Sequence, residues 1–159
     1  MKRNGFTLIE LVVVIVILGI LAVSAAPRFL NLTNDARVSV LKGAQAAVKG
    51  MDSLVYSKAV INGVERNGDK TVKIDGKRVN LINGHLKLDT KNNVAQFLDT
   101  DMNYHVKQNG ATDGGELVIY GGKEIRNVEA VKEGGCFLLV TQPDSEKGEY
   151  RYTIIDQNC

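Results

Sequence analysis

Residues 6–26 read FTLIELVVVIVILGILAVSAA, an apolar run in which Glu10 is the one ionisable side chain. As a helix this stretch rises about 31 Å, close to the roughly 30 Å of a bilayer's hydrocarbon. Polar residues then enter at a helical beat. Beyond Pro27, Leu41, Ala44, Val48, Met51 and Val55 recur in steps of three and four, while Arg37, Lys42, Lys49 and Asp52 fall largely away from them. The pattern predicts one long helix over residues 6–56, apolar all round in its first half and carrying a single buried stripe in its second. Each glycine in its interior costs about 1 kcal/mol relative to alanine, so breaks at Gly43 and Gly50 stay open.

The beat changes at Ala59. Asn62-Gly63, Asn67-Gly68, Asp75-Gly76 and Asn83-Gly84 are turn dipeptides set between short β-prone pieces, which predicts surface loops with a hairpin over residues 71–81. Residues 93–106 read as a short helix with Val94, Phe97, Leu98 and Met102 on one side. Residues 117–120, 136–141 and 150–156 are the strand candidates. In the last, Tyr150, Tyr152 and Ile154 alternate with Arg151, Thr153 and Ile155, as in a strand with one covered face. Residues 124–132 stay undecided, because Ile125, Val128 and Val131 step by three. The expected architecture is α+β: a long N-terminal helix whose amphipathic half lies against an antiparallel sheet.

Length and charge narrow the picture. Of 159 residues, about 100 remain after the helix, enough for one compact head. The formal charge is +2; Lys2 and Arg3 account for it, and the remainder is balanced. No basic field marks a nucleic-acid partner, and no acidic excess marks disorder. Positive charge ahead of the apolar run favours a cytoplasmic N-terminus, which puts the head across the membrane. Cys136 and Cys159 are the two cysteines. Outside the cytoplasm an even count reads as one disulfide, and two free buried thiols are the alternative.

The polar residues supply no active site. Asp99, Asp101 and Asn103 imitate the opening of a calcium loop, but Tyr104 and Gly110 stand where that loop needs Gly and Glu. His85 and His105 have no Cys or His at ligand spacing. Nucleophile-elbow, phosphate-loop and dinucleotide motifs are absent from the sequence. Asn31-Leu32-Thr33 matches a glycosylation sequon but falls on the predicted helix. The expectation is a non-enzyme with no cofactor and no metal.

Three readings compete for the N-terminus: a secretory signal peptide with Val23-Ser24-Ala25 as its small-residue site, a permanent single-span anchor, and a third carried by GFTLIELVVVIVILGILA as a unit. Against the first, Pro27 would stand beside the scissile bond and Glu10 is out of place in such a core. The run resembles the N-terminus of type IV prepilins and pseudopilins, type IVa in particular. That resemblance implies a leader, 1–5, removed between Gly5 and Phe6 by a prepilin peptidase that also N-methylates Phe6; a transmembrane and filament-core helix, 6–27; and a globular pilin head, 28–159, that includes the rest of the long helix. Glu10 then lies four residues from a new amine. A carboxylate in hydrocarbon costs about 2.5 to 3.5 kcal/mol at mid-span, so a neighbour's Phe6 amine would be its partner on assembly; snorkelling to the interface is the alternative.

In type IV pilins the helix between the residues matching Gly19 and Pro27 loses regular form on assembly, which implies a softened segment here; a simple bend at the membrane exit is the other reading of Pro27. The family's variable segment is bracketed by a disulfide near the C-terminus, where Cys136 and Cys159 fall. The run onward to Arg37, with VYSKAVINGVE over residues 55–65, looks closest to the mannose-sensitive haemagglutinin branch. The implied role is a major pilin, with the inner membrane, the pilus assembly machinery and copies of itself as partners. It would sit in the inner membrane with its head periplasmic, then in an extracellular pilus used for attachment. The alternatives are a type II secretion pseudopilin and a single-span binding protein that never polymerises. No surface ligand is implied, since residues 65–135 offer little resemblance to the family.

Overall fold

A single helix, α1 (Leu8–Ile61, 54 residues), dominates the molecule and is about 81 Å long at 1.5 Å per residue. The structure is a computed structural model that describes residues 6–66, 68–108, 115–142 and 149–159, and for 26–31 the backbone alone. Neither Gly19, Gly43 and Gly50 nor Pro27 interrupts α1. Its first half touches nothing: the segment Leu8–Ala25, long and apolar enough to cross a membrane, has no buried residue. Its second half buries one stripe, with Leu41, Val48, Val55 and Ala59 each at most 2% exposed. The three- and four-residue spacing turns these side chains to one face, and each fully buried Leu or Val is worth about 1.5 to 3 kcal/mol.

Two antiparallel sheets cover that stripe. β1 (Asp69–Ile74), β2 (Lys77–Ile82) and β3 (His85–Leu86) form the first, in chain order. Two-residue turns join them, Asp75-Gly76 with φ of 50° and 81° and Asn83-Gly84 with φ of 49° and 82°. Two successive positive φ values are the signature of the turn whose twist matches a hairpin, and Asp-Gly and Asn-Gly are the dipeptides that adopt it. After a short helix, α2 (Lys91–Ala95), come β4 (Asn103–Lys107), β5 (Glu116–Tyr120), helix α3 (Val128–Gly134), β6 (Phe137–Thr141) and β7 (Arg151–Ile155). The four strands make the second sheet in the order β4-β5-β6-β7. Leu117 and Ile119 of β5 join the core on α1, and Val118 and Tyr120 alternate with them to pack beneath α3 with Val128, Val131 and Phe137.

Two expectations need correction. Residues 93–106 are not one helix: α2 ends at Ala95, and from Asn103 the chain is strand, paired from Asn103↔Tyr120 to Lys107↔Glu116. Thr100 breaks the helical run, its hydroxyl accepting the Met102 N–H at 3.1 Å. The β-prone Tyr104-His105-Val106 then meets the free edge of β5, and tertiary pairing overrides a weak helical period. Nor are residues 59–92 mainly surface loops, because Ile74, Val79, Leu81, Leu86 and Leu88 are core. Two buried amides stitch this region down. Asn93 donates to the carbonyls of Lys87 (2.7 Å) and Asn80 (3.0 Å) and accepts the Asn80 N–H (3.1 Å). The Gln142 side-chain carbonyl accepts from Leu88 N–H at 3.0 Å and Gly115 N–H at 3.4 Å, joining the sheets. Gly115 is required there: a Cβ would stand 1.7 Å from the Leu88 carbonyl oxygen.

Candidate functional site

The candidate site is the start of α1. Thr7 is its N-cap, with φ −81° and ψ 150°. Its hydroxyl accepts the Glu10 N–H at 3.3 Å and donates to Glu10 Oε2 at 2.8 Å, and the Glu10 carboxylate accepts the Thr7 N–H at 2.9 Å. This reciprocal pair satisfies two of the orphan donors at the helix start. Glu10 is thereby held beside Phe6, which stands just outside the helix and 87% exposed. Four residues separate the carboxylate from the nitrogen that becomes a free amine if the chain is cut before Phe6. Gly5 lies outside the described residues. The quartet Thr7-Leu8-Ile9-Glu10 carries the capping signature in plain sequence, and Thr7 is the capping residue that hydropathy alone does not single out.

Further along, Gly19 leaves open space around it, and the backbone is helical through Gly19 and Pro27. A proline contributes no N–H, so the Val23 carbonyl loses its usual partner at this point of the helix. Ser24 turns its hydroxyl back onto the Leu21 carbonyl at 3.0 Å. The segment is therefore regular in the lone chain while holding one backbone bond fewer than a standard turn.

In the head, beside the start of the packed half of α1, Cys136 and Cys159 are joined, with Cα atoms 4.8 Å apart across a sequence separation of 23. Gly135 sets up the approach. It ends α3 in the left-handed region, φ 68°, the conformation that glycine adopts without a Cβ penalty. Its carbonyl accepts the Asn158 N–H at 3.0 Å, and α1 secures the terminus through Arg37, whose guanidinium donates to the Cys159 carbonyl at 2.6 Å. Closing a loop of this size stabilises the head by roughly 3 kcal/mol in the chain-entropy treatment.

His85 and His105 serve packing. His85 Nδ1 donates to Asp52 Oδ2 at 2.8 Å, its ring stacks on Tyr56 at 4.9 Å, and Tyr150 meets it edge-on at 5.6 Å. Asp52 also accepts the Leu86 N–H at 3.4 Å, and the Tyr150 hydroxyl donates to the Leu86 carbonyl. The cluster ties β3 and β7 to α1. Burial, with Asp52 nearby, pushes the Tyr152 hydroxyl up to about 12 and holds Tyr150 well above its ordinary range. His105 Nε2 donates to the Ile125 carbonyl at 2.7 Å, and the Ile125 N–H donates to the Tyr120 hydroxyl at 2.9 Å. Asp99 and Asp101 are exposed, and the Asn103 amide donates to the Gly122 carbonyl at 2.8 Å. Among the described residues no group of three or more His, Cys, Asp or Glu is placed to hold a metal.

The uncovered apolar rod, its capped start and its single carboxylate agree with what is known of other chains. Residues 1–26 match the prokaryotic N-terminal methylation motif. This N-terminal part is similar to that of type IV pilins and pseudopilins. The Type IV narrow pilus major component PilA5 of Thermus thermophilus is 51% identical over 59 residues, 37% of this chain and 51% of that protein. The Type II secretion system core protein G of Pseudomonas aeruginosa is 50% identical over 42 residues, 26% of this chain and 30% of that protein. The chain thus spans about half the length of the first relative and under a third of the second. No solved structure matches it at a significant level. The α+β architecture of a long apolar N-terminal helix on an antiparallel head is consistent with the type IV pilin fold.

Proposed function

We propose that the chain is a non-enzymatic structural subunit of a type IV pilus, its major pilin, cut between Gly5 and Phe6 by a prepilin peptidase and N-methylated at Phe6. It is held in the inner membrane by the apolar half of α1 with its head in the periplasm. The assembly machinery then polymerises it with copies of itself into an extracellular filament for attachment. The observation that carries this reading is a rod, Leu8–Ala25, with no buried residue, continuous with a packed head through an unbroken helix. Such a surface is soluble nowhere by itself. It needs lipid or other rods, and the filament supplies the second where the membrane supplied the first. Glu10 sets the alignment: its carboxylate exchanges the Thr7 N–H of its own chain for the Phe6 amine of a neighbour. Gly19 and Pro27 bound the part of the rod that yields on assembly. No cofactor or metal is needed.

Within the family, the mannose-sensitive haemagglutinin branch is the reading that residues 55–65, VYSKAVINGVE, favour. A second reading, a type II secretion pseudopilin, draws on the likeness to core protein G. The link between Cys136 and Cys159 favours the pilin, as the secretion system's major subunits resemble calcium-binding heads without that bond.

The test is the mass of the mature N-terminal peptide from cells that express the full chain. The expected peptide begins at monomethylated Phe6. One beginning at Met1 or Ala26 contradicts the reading.

A further inference from the structure

The first sheet ends on one side in a strand with no neighbour. β1 stands at the edge of the order β1-β2-β3; its Asp69, Lys70, Thr71 and Lys73 are exposed, while Val72 and Ile74 turn to the core. The two-residue turn at Asp75-Gly76 makes Ile74↔Lys77 a pair that exchanges both its hydrogen bonds, so Val72↔Val79 and Lys70↔Leu81 do likewise. The N–H and C=O of Asp69, Thr71 and Lys73 therefore point away from β2. They have no partner among the described residues, and neither a proline nor a bulge interrupts the edge.

The charges on this edge are left unbalanced inside the molecule. Lys73 stands directly opposite Arg78 in the register of β1 and β2, and like charges so placed repel. Neither makes an ion pair among the described residues. Asp69, its side chain 57% exposed, engages Lys87 through Oδ2 and keeps a second carboxylate oxygen. About Thr71 the strand reads Asp69-Lys70-Thr71-Val72-Lys73, an acid and a base equally far on either side and on the same face as Thr71. Turned end for end beside itself, such a strand sets each Asp69 against a Lys73 and Thr71 against its own copy. A register shifted by two residues either way breaks both charge pairs and leaves Asp69 or Lys73 opposite Thr71.

We propose that β1 is a self-recognition edge, pairing antiparallel with β1 of a second copy about a two-fold axis at Thr71. Charge complementarity selects this occupant: Asp69 of each copy supplies the acid that Lys73 and Arg78 of the other lack. The two threonines face each other as a favourable cross-strand pair, and every edge N–H and C=O of Asp69, Thr71 and Lys73 finds its complement. Lysine on a free edge ordinarily keeps other strands away; here the acid at the mirror position turns that guard into a choice of register. The contact is isologous, so it closes on two copies and does not propagate. Because the sheet lies with its inner face on α1, a two-fold axis normal to the sheet reverses the direction of α1. Copies in one filament, or in one membrane, all point the same way, so the pair joins two filaments that run in opposite directions. That last step rests on the filament reading; the pairing of edges does not.

The edge itself is tested on the detergent-solubilised full-length chain carrying Thr71→Cys under mild oxidation. Two-fold pairing puts the two Cα atoms at this position about 5.5 Å apart, within disulfide reach. Lys70→Cys, also exposed, is the control, since it stands two positions out of line with its copy at about 8 Å. The linked dimer is expected to form at least tenfold faster for Thr71→Cys, and equal rates overturn the pairing. Filaments test the rest. Asp69→Lys sets base against base and Lys73→Asp sets acid against acid, so filaments of either variant alone should lose at least fivefold in bundles that sediment at low speed, at wild-type filament yield. Mixed together, the two variants restore every charge pair, and bundling should return, which a misfolded head could not produce. Wild-type filaments that stay dispersed, single variants that bundle like wild type, or a mixture that does not recover each overturn the contact between filaments. A wild-type chain that forms no filaments removes the filament reading and the bundling with it, while the ratio of the two cysteine rates still decides the edge.

Discussion

Leu11 and Leu41 occupy the same helix, yet Leu11 is 59% exposed and Leu41 2%. Helix propensity does not distinguish them; surroundings do. Around Leu41 the sheets and the neighbouring stripe residues supply the cover, and the chain carries its own solvent-excluding surface. Around Leu11 the chain supplies none, so that half of the helix depends on whatever phase or partner surrounds it. The fold of the head and the fate of the rod are therefore separate problems written on one helix, and substitutions should divide between them.

The largest expected effect lies in the covered half. Leu41→Ala should destabilise the head by about 2 to 5 kcal/mol, the range for truncating a buried leucine, whereas Leu11→Ala should leave the unfolding transition of the solubilised chain where it is. Chemical denaturation followed by near-ultraviolet circular dichroism reads both. Equal losses from the two substitutions would erase the distinction between the halves.

A smaller effect sharpens the same contrast by pH. Tyr152 is raised from its ordinary 10 to about 12 on folding, and Tyr150 is raised in the same direction by burial. A group raised on folding adds stability that is complete below the unfolded value and lost as pH climbs toward the folded one. Head stability should accordingly decline from about pH 10 to pH 12, and Tyr152→Phe should flatten part of that slope. An unchanged slope in the variant would place the alkaline loss elsewhere.

Much of this organisation is legible in the sequence, because its causes are local. The rod is a run of apolar residues, the stripe is a helical period, and Asp75-Gly76 and Asn83-Gly84 encode their turns through backbone sterics. The Thr7 cap is equally local, and four consecutive residues are enough to find it. What sequence reading loses is set by contacts between distant segments. Residues 103–107 are a strand because β5 offers them a ladder, and nothing within Asn103-Tyr104-His105-Val106-Lys107 announces that edge. Asp52 falls off the apolar stripe and reads as solvated, yet His85, 33 positions away, turns it inward. Nothing local marks Asn93 or Gln142 as buried, and only the assembled fold shows that they join its parts.

The central claim is that the rod exchanges lipid for the rods of other copies, aligned by one carboxylate. Glu10→Gln tests it most directly, since glutamine keeps the capping geometry with Thr7 and removes only the charge. Membrane-inserted subunit and assembled filament are measured in the same cells. The account predicts an unchanged membrane pool and a filament yield reduced at least tenfold. Filaments at wild-type yield from the Glu10→Gln chain would contradict it.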